Sequence, residues 1–95
     1  MKVILISEEC HGLVGVADTP AHAIDFLINE DWLNEGTTIP IFNSKTNKWE
    51  DISVVERFGE HWYNTLQSAK TCDELNEAFC ECFFFSDYDV YSGED

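Results

Sequence analysis

Two hydrophobic periods meet early in the chain. "KVILIS" (2–7) and "LVGVA" (13–17) are nearly continuous apolar runs rich in β-branched residues, and "EECHG" between them is a turn. The pattern predicts a β-hairpin, with Gly12 where a positive φ is needed. Because both runs stay apolar along their length, the hairpin is expected at the centre of a sheet and covered on at least one face. From Thr19 the period changes. Ile24, Leu27, Ile28 and Trp32 fall at i, i+3, i+4 and i+8, which is one stripe of a helix. Thr19 is its expected N-cap, Pro20 its first residue and Gly36 its close, with Asp25, Glu30 and Asp31 off the stripe.

"TTIPIF" and "KWEDI", separated by "NSKTN", predict a second, shorter hairpin. Pro40 has no N–H to give a ladder, so its strand belongs at an edge or is only partly formed. A capping box, Ser53-Val-Val-Glu56, opens a helix on which Val55, Phe58, Trp62, Leu66 and Ala69 recur every three or four residues. A second box, Thr71-Cys-Asp-Glu74, opens another, with Leu75, Phe79 and Cys82 as its apolar face, joined by Cys72 and Ala78. "FFFSDYDVY" then alternates, Phe84, Ser86, Tyr88 and Val90 against Phe85, Asp87, Asp89 and Tyr91, as a strand that pairs with the N-terminal hairpin. "SGED" is a polar tail. The expected order is β-β-α-(β-β)-α-α-β. This is an α+β fold: a small, mainly antiparallel sheet with about three helices on one face, in a single domain over residues 1–95.

Charge changes the picture more than size does. Nineteen Asp and Glu against five Lys and Arg give a net charge of −14, and neither residues 3–44 nor residues 71–95 contain a Lys or Arg. A field of that sign repels nucleic acid and anionic membrane and speeds association with basic partners. Direct nucleic-acid binding, which needs phosphates neutralised, is therefore excluded as an expectation. The opening run "MKVILIS" is cut off by Glu8 and Glu9, too short for a signal peptide or a membrane span, so a cytoplasmic protein with reduced thiols is expected.

The candidate chemistry is thin. Cys72, Cys80 and Cys82 offer one C-x-C and no second close pair, and Cys10-His11 are adjacent, so core packing explains the cysteines better than zinc or redox work. Cys72 has Asp73 and Glu74 beside it and Cys10 has Glu8 and Glu9, which disfavours a nucleophilic thiolate at either. His11, His22 and His61 are scattered; His22 sits in the first turn of its helix, where positive charge is disfavoured, and His61 is expected half-buried beside Trp62. No calcium loop or glycine-rich phosphate cradle is present, and no cofactor or metal is expected.

The acids themselves are arranged. Asp73, Glu77 and Glu81 stand at i, i+4 and i+8, a stripe of like charge that costs a helix a few tenths of a kcal/mol per pair. Glu56 and Glu60 repeat the spacing, and Asp87 and Asp89 lie on one face of the last strand. A solvated face is one reading. The other is a surface offered to a basic groove, with Asp73, Glu74, Glu77, Glu81, Asp87 and Asp89 as its partner-binding residues.

"VILIS…GLVGVADTPAHAIDFLINEDWL" resembles small proteins encoded by phages and prophages of Gram-positive bacteria. In these a hairpin ending in a "GVA"-like strand leads into a helix with an "A-I-x-F-L" core. The resemblance covers residues 3–35, with a fainter likeness in "FFFSDYDVY", and it carries over no catalytic residue. It implies a context, since such proteins often bind and block a host protein, including defence nucleases and other nucleic-acid enzymes. The sequence thus leads to a non-enzymatic inhibitor or modulator that binds a basic host protein in the host cytoplasm, as a nucleic-acid mimic does. The alternatives are a structural module that forms a homodimer through exposed aromatics, and a small-molecule or metal-binding protein.

Overall fold

β1 (Lys2–Glu8) is flanked on both sides in a three-stranded antiparallel sheet. β2 (Gly12–Ala17) pairs with one edge and β5 (Phe83–Asp89) with the other, in the order β2-β1-β5. The computed structural model describes residues 2–80 and 82–89. Along β1 the side chains alternate: Ile4 and Ile6 are buried on one face, while Val3, Leu5 and Ser7 lie on the other and are half-buried. The hairpin turn is closed by Glu8, whose carboxylate accepts the N–H groups of Cys10 (2.8 Å) and His11 (2.9 Å) and meets the His11 ring at 2.7 Å. Chiefly the bond to the His11 ring holds the Glu8 carboxyl below its usual range. Gly12 takes φ +73°, as a tight return requires.

Helix α1 (Pro20–Asn29) covers the inner face with Ala23, Ile24 and Leu27, all fully buried. Thr19 caps it, accepting the His22 N–H at 3.1 Å. The Phe26 ring lies directly on Gly15 of β2: a Cβ there would fall 2.2 Å from the ring's Cζ. Helix α4 (Cys72–Phe79) brings Phe79 edge-on to Phe83 at 5.3 Å and within 5.7 Å of Phe85. One turn earlier Asn76 meets the free edge of β5. Its Nδ2 donates to the Phe85 carbonyl (2.8 Å) and its Oδ1 accepts the Phe85 N–H (2.7 Å), so one side-chain amide stands in for a neighbouring strand.

The α+β class and the chain order agree with the sequence reading, with several differences of detail. Strands β3 (Thr38–Asn43) and β4 (Lys48–Ser53) form their own two-stranded sheet instead of extending the first, which leaves Pro40 at an edge. The helix expected from Ser53 to Ala69 is two short ones, α2 (Val54–Phe58) and α3 (Trp62–Gln67), because Gly59 at φ +87° ends the first. Its apolar period survives the break, with Phe58, Trp62 and Leu66 all packed in or against the core. Helix α1 stops well before Gly36: Asp31 turns left-handed (φ 62°), and the N–H groups of Trp32 and Asp31 donate back to the carbonyls of Leu27 and Ile28. Likewise α4 ends at Phe79 with Cys80 left-handed (φ 49°), so Cys82 lies beyond the helix.

Both capping boxes are made on the hydroxyl side, Ser53 to Glu56 N–H and Thr71 to Glu74 N–H. Neither glutamate bonds back to its cap residue; the Glu74 carboxylate takes the Lys70 N–H instead, at 2.8 Å. His61 is exposed, not half-buried. The strand residues Val90 and Tyr91 lie outside the described residues.

Two substitutions test this packing. Gly15→Ala must displace the Phe26 ring and is expected to cost ~1–3 kcal/mol in urea unfolding. Asn76→Ala strands two backbone groups of Phe85 and is expected to cost about 1–3 kcal/mol, with faster hydrogen exchange at the Phe85 amide.

Candidate functional site

The acids singled out in the sequence fall mostly at one corner. Asp73 and Glu74 occupy the first turn of α4, where the helix dipole favours negative charge. Asp87 comes to them from β5, with Oδ1 3.5 Å from the Cys72 thiol, and Asp89 lies two residues further along the strand, opposite Lys2. Glu77 is exposed one turn along α4 from Asp73. Glu81 lies outside the described residues, and α4 ends before it, so the helical spacing that aligned it with Asp73 and Glu77 does not reach that far. Glu74 is partly spent, since its carboxylate holds the Lys70 N–H.

The same corner holds a cleft of about 170 Å³ between the starts of β1, α1 and α4. Lys2 and Lys70 line it together with Asp18, Asp87, Thr71 and Cys72. Two of the chain's five cations therefore stand among these carboxylates, and the corner is not uniformly negative. Among the described residues, however, neither lysine comes within ion-pair distance of a carboxylate. Among the described residues every ion pair is to a histidine: His11–Glu8, His22–Asp18 and His61–Glu60. Arg57 lies over the Phe58 ring, 5.3 Å from its centroid. The acids of this protein thus keep their field, softened by no described Lys or Arg contact.

Two of the four thiols, Cys72 and Cys82, are poor nucleophiles where they stand. Burial, then the charge of Asp87 and its hydrogen bond, pushes Cys72 up to about 11. Burial, then Glu9 and Glu8, pushes Cys82 up to about 11 as well. Cys72 is a core residue, as its helical position suggested. Among the described residues no three His, Cys, Asp or Glu side chains gather as metal ligands. No helix among them is long and apolar enough to cross a membrane.

Two groups of residues that the sequence reading passed over stand out in the fold. Asp25 of α1, read from the sequence only as lying off the apolar stripe, accepts Tyr63 Oη (2.5 Å) and Gln67 Nε2 (2.7 Å) from α3, and Gln67 Nε2 also donates to the Ala21 carbonyl at 2.9 Å. These bonds pin α3 to α1, and the i, i+4 spacing of Tyr63 and Gln67 was their only trace in the sequence. The second group is apolar and exposed: Leu13, Val16, Phe84 and Tyr88 on the sheet, Phe42 and Trp49 on the β3–β4 hairpin. The run Phe83-Phe84-Phe85 carried that signal, because three successive aromatics on a strand must place one on the opposite face from the other two.

Comparison of the chain with protein-family models, curated proteins and solved structures finds no match.

His22 reports on the local field. Its bond to Asp18 raises it above the ordinary 6.5, and the Asp18 carboxyl is lowered chiefly by the same bond. The raised histidine contributes stability below its unfolded value and loses it as pH climbs through the folded one. The lowered aspartate contributes above its unfolded value and loses it as pH falls through the folded one. The pair therefore contributes in full between the ordinary values of the two groups, 3.8 and 6.5, and fades beyond them toward the folded values. In an NMR titration the His22 ring protons should titrate above 6.5, and in Asp18→Asn that midpoint should move down.

Proposed function

We propose that this chain is a non-enzymatic interaction protein of phage type that binds a basic host protein through its carboxylate surface. The observation that carries this reading is the uncompensated charge: a net −14 in which no Lys or Arg pairs with a carboxylate among the described residues. A surface of this sign steers a basic partner in and disfavours acidic ones. Asp73 and Glu77 on the exposed side of α4, with Glu74, Asp87 and Asp89 near its start, are the carboxylates offered, and Glu81 extends them in sequence. Such a partner includes nucleic-acid-binding proteins, whose grooves already accept a phosphate-like array. The place of action is the host cytoplasm.

A second reading, an assembly module that pairs with itself, is supported by the apolar side chains that the sheet and hairpin leave exposed.

Capture of host proteins on the immobilised chain at low and high salt tests the first reading. A basic protein should be retained at low salt and released at high salt, and Asp73→Lys with Glu77→Lys should weaken its binding by roughly tenfold or more. Retention unchanged by the two reversals would sink the acidic-surface reading.

A further inference from the structure

The core-facing rows of the three-stranded sheet change character at one end. On β1 the residues of inward parity are Ile6, Ile4 and then Lys2; on β5 their register partners are Phe85, Asp87 and Asp89. Ile6, Ile4 and Phe85 are buried, whereas Lys2, Asp87 and Asp89 are charged and exposed. A charge on the inward parity of a strand adds nothing to the core, so this end of the inner face is set apart from packing. It borders the cleft of about 170 Å³ between the starts of β1, α1 and α4. Ile4 and Cys72 are its buried lining, and Lys2, Lys70, Asp18 and Asp87 stand exposed around it.

Charges of both signs share this space without closing on each other. The His22 ring holds Asp18 and the Cys72 thiol holds Asp87, so the fold positions both carboxylates. Lys2 and Lys70 make no ion pair among the described residues. Thr71 Oγ1 accepts the Glu74 N–H at 3.1 Å, which leaves its own proton to be given.

We propose that this cleft binds a small zwitterion of α-amino-acid type, its carboxylate held by Lys2 and Lys70 and its ammonium by Asp18 and Asp87. The inference is independent of the carboxylate-surface reading and shares only Asp87 with it. Charge selects the ligand class. An anion alone would enter the field of a chain of net charge −14 and stand beside Asp18 and Asp87, with Asp73, Glu74 and Asp89 close outside. A cation alone would meet two ammonium groups. An apolar ligand would strip water from four charged groups and return nothing. A zwitterion carries no net charge for the field to oppose, and it offers each of the four an opposite partner. Size narrows the class further. A cavity of about 150 Å³ holds a benzene ring, so this one takes roughly six or seven non-hydrogen atoms, an amino acid no larger than alanine or little more.

An amide-detected NMR titration with L-alanine tests the site, with propionate and ethylammonium as its two single-charge halves. L-Alanine is expected to give saturable shifts at Val3, Ile4, Thr71 and Cys72, with a Kd in the millimolar range. Each half should bind at least ~tenfold more weakly, since it forfeits one set of charge-assisted bonds. Lys2→Met/Lys70→Met keeps the side-chain stems and should weaken L-alanine at least ~tenfold without weakening ethylammonium. A loss of both together would mark a structural effect and overturn the assignment of the lysines. Lys2→Arg/Lys70→Arg keeps the charges and should retain L-alanine binding within about threefold. Amide shifts unchanged away from the cleft show that each variant is folded. Absence of saturable shifts with L-alanine, or shifts centred elsewhere, overturns the site. Propionate or ethylammonium binding as tightly as L-alanine overturns the zwitterion. None of these results bears on salt-sensitive capture through Asp73 and Glu77.

Discussion

Phe79 seats its ring edge-on to Phe83 and close to Phe85, and through that contact the last helix delivers the last strand to the first. β5 pairs with β1 across nearly the whole length of the chain, so the pairing carries a large loop-closure entropy that local turns cannot offset. Buried aromatic area and the Asn76 amide on the Phe85 backbone supply the compensation. Without this contact β1 would have one neighbour, and the N-terminal hairpin would be an isolated two-stranded ribbon of marginal stability.

That arrangement also explains where the protein is left unfinished. A three-stranded sheet has two faces, and α1 and α4 with the α2–α3 pair gather the core on one of them. Among the described residues the β3–β4 hairpin forms a separate two-stranded sheet instead of widening the first, and it turns its largest aromatics outward. The residues that cover nothing are therefore a consequence of topology: the chain has enough apolar surface for two interfaces and enough secondary structure to close one.

Electrostatics adds a second layer over this scaffold. The carboxylates that serve the fold are short-range devices: Glu8 closing a turn, Asp25 tying α3 to α1, Glu74 taking a backbone N–H before α4. The other described carboxylates face solvent with no described Lys or Arg partner, and their mutual repulsion brings no packing in return. The reading of the chain as a binding protein for something basic comes from this division between acids with a structural duty and acids without one. The two thiols pushed up to about 11 fit the same view, since buried sulfur in an acidic setting stays protonated and inert.

Local chemistry sufficed for whatever depends on neighbours in the chain. Thr19-Pro20 starts α1, Thr71 starts α4, Gly12 turns the first hairpin, and the alternation after Cys82 makes a strand, because caps, turns and side-chain parity act within a few residues. The acidic character was equally plain, being a sum over composition. Helix ends were not. Asp31 and Cys80 adopt left-handed backbone that their types seldom signal, and Gly59 divides a helix whose apolar period runs straight through the break. Tertiary structure alone decided that Asp87 would meet Cys72, that Lys2 and Lys70 would stand among the carboxylates, and which of Phe83, Phe84 and Phe85 would be left in water. Parity says that successive strand residues face opposite ways. Only the packing of helices against one side says which way is in.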